Sequence, residues 1–187
     1  MKKVLVCVIG MMFLVGGVGL AFAAEKAPQK VFDLAKTELA AYGSDPVIVK
    51  AVKAENSKGK TLAQIQEMDA KWKATAGIVD YMKALMESEC GQHLRKIMDN
   101  SQLFSEIFVM DNQGANVAMS DKTSDYWQGD EAKFKNSFND GKGDVFVDDV
   151  EFDDSSQAYL SQVSVPVKDG DTVIGAITFG IDIDRVE

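Results

Sequence analysis

The hydrophobic period of this chain changes once, near residue 105. Before that point apolar side chains recur at steps of three and four; after it they alternate or gather in short runs. Those are the periods at which helices and strands present one face to a core. A chain that carries the two in succession is expected to fold as helices packed on a sheet, an α+β domain.

In the first half, Val31, Leu34, Ala35, Leu39 and Tyr42 mark one helix. Gly43-Ser44-Asp45-Pro46 interrupts it: Gly43 suits a helix end, Asp45 an N-cap and Pro46 a first helical position. A short helix to about Asn56 follows, then a loop over residues 57–60. Thr61 with Gln64 reads as a capping box. From there Ile65, Met68, Trp72, Thr75, Val79, Met82 and Met86 form one unbroken apolar stripe, which predicts a single helix of about six turns. Such a stripe fits either an internal core or a coiled-coil seam.

In the second half, SEIFVMD and ANVAMS read as two strands around an Asp111–Gly114 turn. EAKFKNSF reads as a short helix with Phe134 and Phe138 on one face, followed by a loop over residues 139–143. DVFVDDVEF, AYLSQVSVPV and DTVIGAITFGIDI are three more strands, the last two joined by a Lys168-Asp169-Gly170 turn. The expectation is long N-terminal helices (24–104) packed on a five-stranded antiparallel sheet (105–187). Gly175, Ala176 and Gly180 suit close packing on the last strand.

A basic MKK start, an apolar run and Ala21-Phe22-Ala23 have the order of a secretory signal peptide over residues 1–23. An uncleaved anchor is the alternative. The remainder, 24–187, is sized for one domain, and a periplasmic location is expected. The net charge of −9 argues against nucleic acid and anionic membranes as partners. Past Cys7 the only cysteine is Cys90, so no internal disulfide is expected.

The stretch SDKTSDYWQGDEAKF, residues 120–134, is too polar for a core and too aromatic for an ordinary loop. Tyr126 and Trp127 could wall a cleft, with Asp121, Asp125 and Gln128 as polar neighbours able to hold an ammonium group. In the other reading Asp130 caps a helix starting at Glu131, and Asp121 or Asp125 bonds turn backbone. Only Lys122 and Lys133 lie nearby, and no Arg occurs between Arg95 and Arg185, which favours cationic or zwitterionic ligands over dicarboxylates. On the fourth strand Leu160, Gln162 and Ser164 share one face, opposite Tyr159, Ser161, Val163 and Val165. The apolar face is expected to meet the long helix, leaving Gln162 and Ser164, with Thr178 on the last strand, to look towards a covered site.

The acidic run Asp148, Asp149, Glu151, Asp153, Asp154 lacks the glycine and spacing of a calcium loop, and alternation would send its carboxylates to opposite faces. A solvated strand is the expectation. His93 and Cys90 lack further zinc ligands, and no orienting acid for a nucleophilic pair is evident. No metal, cofactor or catalytic residue is assigned, and an enzyme is not expected.

Several pieces together resemble the extracytoplasmic PDC or Cache sensor domains, which share a PAS-like sheet. IFVMDNQGANVAMS resembles the family's first hairpin, YLSQVSVPVKDGDTVIGAITFGIDID its closing pair, and the long leading helix also fits. TSDYWQGDEAKF resembles a subgroup of small periplasmic proteins of this type. The likeness spans residues 28–185. It implies a small-molecule site on one face of the sheet, covered by the segment between the second and third strands, with amines, amino acids, carboxylates or other metabolites as ligands. Receptors of the family continue into a membrane helix and an output domain. Here Glu187 directly follows the last strand, so a separate membrane receptor is expected to read the bound state, unless the protein buffers its ligand. The alternative is an interaction module that dimerises, or docks on a receptor, through the helix from Leu62.

Overall fold

The computed structural model describes residues 25–153 and 156–186; the expected signal peptide and Asp154 lie outside them. Helix α1 (Gln29–Leu34) runs through a π-turn (Ala35–Leu39) into α2 (Ala40–Tyr42), and α3 (Pro46–Asn56), α4 (Leu62–Ala74), α5 (Asp80–Met86) and α6 (Glu89–Asp99) follow. Strands β1 (Phe104–Met110) and β2 (Asn116–Met119) come next, then α7 (Ala132–Phe138), β3 (Phe146–Asp153), β4 (Ala158–Asp169) and β5 (Thr172–Asp182). All strand pairs are antiparallel, in the order β2-β1-β5-β4-β3. The fold is α+β, as the change of period predicts. No helix among the described residues is long and apolar enough to cross a membrane.

The local signals act as their chemistry requires. Asp45 accepts from the Val47 and Ile48 amides at 2.8 and 3.2 Å, capping α3. Thr61 and Gln64 form the reciprocal capping box of α4. Gly43 ends α2 in an ordinary right-handed conformation. Its lack of a side chain serves packing instead, because a Cβ there would meet the Pro166 carbonyl oxygen.

The single long helix is not formed. It stops at Ala74, the chain is extended at Thr75 and Val79, and Gly77 takes φ +71°. The Lys122 ammonium donates to the Thr75 and Gly77 carbonyls at 3.2 and 3.0 Å, supplying partners to carbonyls that the break releases. The stripe still points one way in space, because the bend keeps Ile65, Trp72 and Met82 in one cluster with Phe108, Met110, Met119, Tyr126 and Phe134. A straight helix would carry Trp72 and Met82 along a line; the break turns both into one cluster with Phe108 and Met110.

The two sheet faces are also shared differently from expectation. Strand register puts Ile107, Val109, Val163, Val165, Ile177, Phe179 and Ile181 on one face. That face is covered by α1, its π-turn, α3 and α6 through Val31, Leu39, Ile48, Val52, Leu94 and Ile97. Helices α4 and α5 lie with the other cluster, against Phe108, Met110 and Ala176. Phe108, Thr178 and Ser164 are consecutive register partners on this second face, as are Glu106, Gly180 and Gln162. The candidate site lies there.

Candidate functional site

The segment after β2 folds back over the second face. Its middle pairs with the first hairpin: the Asn116 amide donates to the Tyr126 carbonyl at 2.9 Å, and the Gln128 amide to the Gly114 carbonyl at 2.8 Å. Gly114, at φ +85°, turns the chain there, and a Cβ on it would meet Gly129. From the helical side, Asp69 of α4 accepts both the Tyr126 and Trp127 amides at 2.9 and 3.0 Å through Oδ1, while its Oδ2 pairs with Lys73 at 2.8 Å. The Trp72 indole N–H donates to the Thr123 carbonyl at 2.8 Å. The segment is therefore fastened at both margins.

This fastening fixes what Tyr126 and Trp127 do. Tyr126 is 4% exposed, with its ring 5.7 Å from that of Trp72 and its hydroxyl accepting from Lys60 at 3.0 Å. Lys60 also pairs with the buried Glu55, and that partner helps hold its ammonium protonated. Trp127 donates its indole N–H to the Gln113 carbonyl at 2.8 Å. Asp125 faces Lys73 at 3.5 Å, and the exposed Asp121 accepts from the Lys122 amide at 2.7 Å. Asp130 caps nothing: α7 begins at Ala132, its N-cap is Glu131, and no side chain bonds its first turn.

Between this segment, α7 and β3 lies a cavity of about 480 Å³. It is lined by Glu106, Phe108, Lys122, Thr123, Ser124, Gln128, Lys133, Phe152, Asp153 and Gln162. A second cavity of about 320 Å³ adjoins it, sharing Lys133, Phe152, Asp153 and Gln162, and adds Glu131, Ala132, Asp148, Asp149, Glu151 and Leu160. The acidic run reaches one cavity because β3 bulges between Val147 and Val150, breaking the alternation that would have separated its carboxylates. Asp149 also pairs with Lys26 at 2.7 Å. No group of three or more potential metal ligands is found among the described residues.

Of the residues singled out in the sequence, Gln128 and Gln162 line the larger cavity. Thr178 is buried and bonded to Ser164 at 2.7 Å, outside the lining of either cavity. Tyr126 instead borders a separate space of about 190 Å³ with Lys60, Gln64, Ile65 and Met68. Asp121, Asp125 and Trp127 line neither of the two adjoining cavities. Tyr126 and Trp127 hold the cover in place and are not its walls.

The lining residues not foreseen are Glu106, Phe108 and Phe152, while Lys122 and Lys133, the two cations near the segment, also reach the lining. Glu106 had a signal: it stands two positions before Phe108 and four before Met110, a lone carboxylate on an apolar strand face. Gly180 makes room for it, since a Cβ there would lie 2.7 Å from Glu106 Cγ. Its carboxylate accepts from the Gln162 amide at 2.8 Å. Burial pushes the Glu106 carboxyl up from its ordinary value; Lys133 and the Gln162 bond pull the other way, and Asp153 and Glu131 add to the rise. Lys133 pairs with Glu131 at 2.8 Å and sits 5.5 Å from the centre of the Phe108 ring. Gln128 is 1% exposed; its amide nitrogen donates to the Asp125 carbonyl at 3.0 Å, and its Oε1 has no partner.

His93 and Cys90 lie away from this cavity, on α6. His93 does have an acid partner, which the sequence did not reveal: Asp45 Oδ2 is 3.0 Å from its Nε2. The thiol beside it is pushed up to about 12 by burial and by Asp45 and Glu89, the wrong direction for a nucleophile.

Fold and site together define an α+β domain with a mixed-charge cavity held between one sheet face and a pinned cover. No family model matches the chain, and no curated protein matches it in sequence. Solved structures do. The sensor domain of the V. cholerae histidine kinase DctB is 14% identical, with a TM-score of 0.46, over 84% of this chain and 55% of that one. The sensory domain of the Campylobacter jejuni chemoreceptor Tlp3 with isoleucine bound is 14% identical, with a TM-score of 0.42, over 84% and 63%. The ligand-binding domain of the Pseudomonas aeruginosa PAO1 chemoreceptor PctC in complex with GABA is 8% identical, with a TM-score of 0.38, over 85% and 64%. The chain thus spans 55–64% of the length of these domains. Solved sensor domains of the PDC/Cache type are among the structures to which it is similar.

Proposed function

We propose that this protein is an extracytoplasmic, sensor-like binding protein that holds a small molecule between its sheet and the segment over residues 120–134. Binding is the activity, and a membrane receptor reads the bound state. One observation carries this reading. The cavity of about 480 Å³ has an aromatic wall in Phe108, and it is lined by Gln128, whose buried Oε1 lacks a donor. Ligand sites combine apolar walls with a few convergent polar groups, and a buried acceptor left unpaired costs about 1–3 kcal/mol. A ligand N–H would meet that need. The N-terminal apolar run supports export, and the helix on which a coiled-coil alternative rested is broken at residues 75–79.

The test is to purify the protein from its native compartment, denature it and identify any released molecule by mass spectrometry, alongside thermal-shift screening of amines, amino acids and organic acids. A ligand present at about a hundred times its Kd stabilises by about 2.7 kcal/mol. The expected response is a saturable shift that Gln128→Ala weakens. No released molecule and no shift with any of the compounds would overturn the proposal.

A further inference from the structure

On the reading that this cavity binds a small molecule, we infer that the ligand is an elongated cation carrying two separated ammonium groups, one in each of the two adjoining cavities. An ammonium offers three donors and no acceptor. The larger cavity is lined by two residues that carry acceptors: Glu106, whose carboxylate receives a hydrogen bond from Gln162, and Gln128, whose buried Oε1 is unpartnered. The Gln128 amide orientation follows from its bond to the Asp125 carbonyl, so the orphan is an oxygen that needs a donor. Both lysines of this cavity are already engaged, Lys122 by two backbone carbonyls and Lys133 by Glu131 and the Phe108 ring. A carboxylate ligand would have to compete for them.

The smaller cavity adds negative charge beyond the pairs Lys26–Asp149 and Lys133–Glu131. Lys133 is its one lining cation, against lining carboxylates that include Asp148 and Glu151, neither of which has an ion-pair partner among the described residues. The two spaces meet at Phe152, Gln162, Asp153 and Lys133. A methylene chain passing Gln162 would join an ammonium at Glu106 to a second one beside Asp148 and Glu151. That second charge is what a simple monoamine lacks.

The experiment is calorimetric titration at physiological ionic strength with diaminobutane, diaminopentane, butylamine, valine and succinate. The diamines are expected to bind with one-to-one stoichiometry, at least about tenfold more tightly than butylamine. Asp148→Asn with Glu151→Gln should reduce diamine affinity to the butylamine level and leave butylamine unchanged. Glu106→Gln should weaken both, and Glu38→Gln, remote from the cavities, neither; equal loss in all variants would mean nonspecific attraction to an acidic protein and overturn the inference. Butylamine binding as tightly as the diamines overturns it too. Saturable valine or succinate binding with silent diamines overturns the dication and leaves the binding function standing. Silence with every probe, together with no co-purifying molecule, overturns both.

Discussion

Replacing Asp69 by alanine removes the fastening between α4 and the cover. Two backbone donors, Tyr126 N–H and Trp127 N–H, lose their shared acceptor at 2.9 and 3.0 Å. Tyr126 is buried, so its amide bears the full cost of an unpaired group; Trp127 is half-buried, and water can reach its amide more easily. An orphaned buried donor costs about 1–3 kcal/mol, which gives about 2–4 kcal/mol for the pair. Loss of the Lys73 ion pair adds little, because that side chain is 50% exposed. For a domain of this size the loss corresponds to a fall of about 5–15 °C in Tm. Asp69→Asn keeps one acceptor oxygen and should lose about half as much. Urea unfolding followed by tryptophan fluorescence suits the question, because the chain's two tryptophans, Trp72 and Trp127, flank this contact. Hydrogen exchange at the Tyr126 and Trp127 amides should accelerate in the alanine variant. A variant within about 0.5 kcal/mol of the parent, with unchanged protection, would refute the pinning.

Tyr126→Ala should cost about 3–5 kcal/mol as a core truncation, and Tyr126→Phe only about 1 kcal/mol for the Lys60 bond, with ligand response retained in the latter; denaturation midpoints decide, and a stable alanine variant would place the ring outside the core. Cys90, its thiol pushed up to about 12, should react with an aromatic disulfide at pH 8 only as fast as the native structure opens, and immediate labelling would contradict its burial. Glu106 has a raised folded-state value, so its contribution is present at low pH and is lost as pH rises through that value. Glu106→Gln should therefore gain stability relative to the ligand-free parent as pH rises through the titration of Glu106, read from paired melting curves; a flat or falling difference would oppose the assignment.

The α+β fold was legible because each half carries a pattern that local physics reads directly. Asp45, the Thr61–Gln64 box and the Gly114 and Gly170 turns act within a few residues of themselves. The candidate site was legible only in part. Gln128 and Gln162 reach the cavity, whereas Tyr126 and Trp127 line neither of the two adjoining cavities; aromatic rings beside carboxylates look alike in a cleft and in a fastening. What separates the two is Asp69, 57 residues from Tyr126.

By itself the sequence determined the succession of helices and then sheet, the Asp45 and Thr61 caps and the Gly114 and Gly170 turns, since all of these follow from hydrophobic period and backbone preference. Tertiary structure alone decided where the helix from Leu62 breaks, which face of the sheet each helix covers, and that a bulge in β3 gathers Asp148, Asp149 and Glu151 beside the cavity that holds Glu106. These outcomes depend on strand register and on contacts between residues far apart in the chain. A one-residue change in register reverses every side chain on a strand, and no local pattern fixes the register across distant strands.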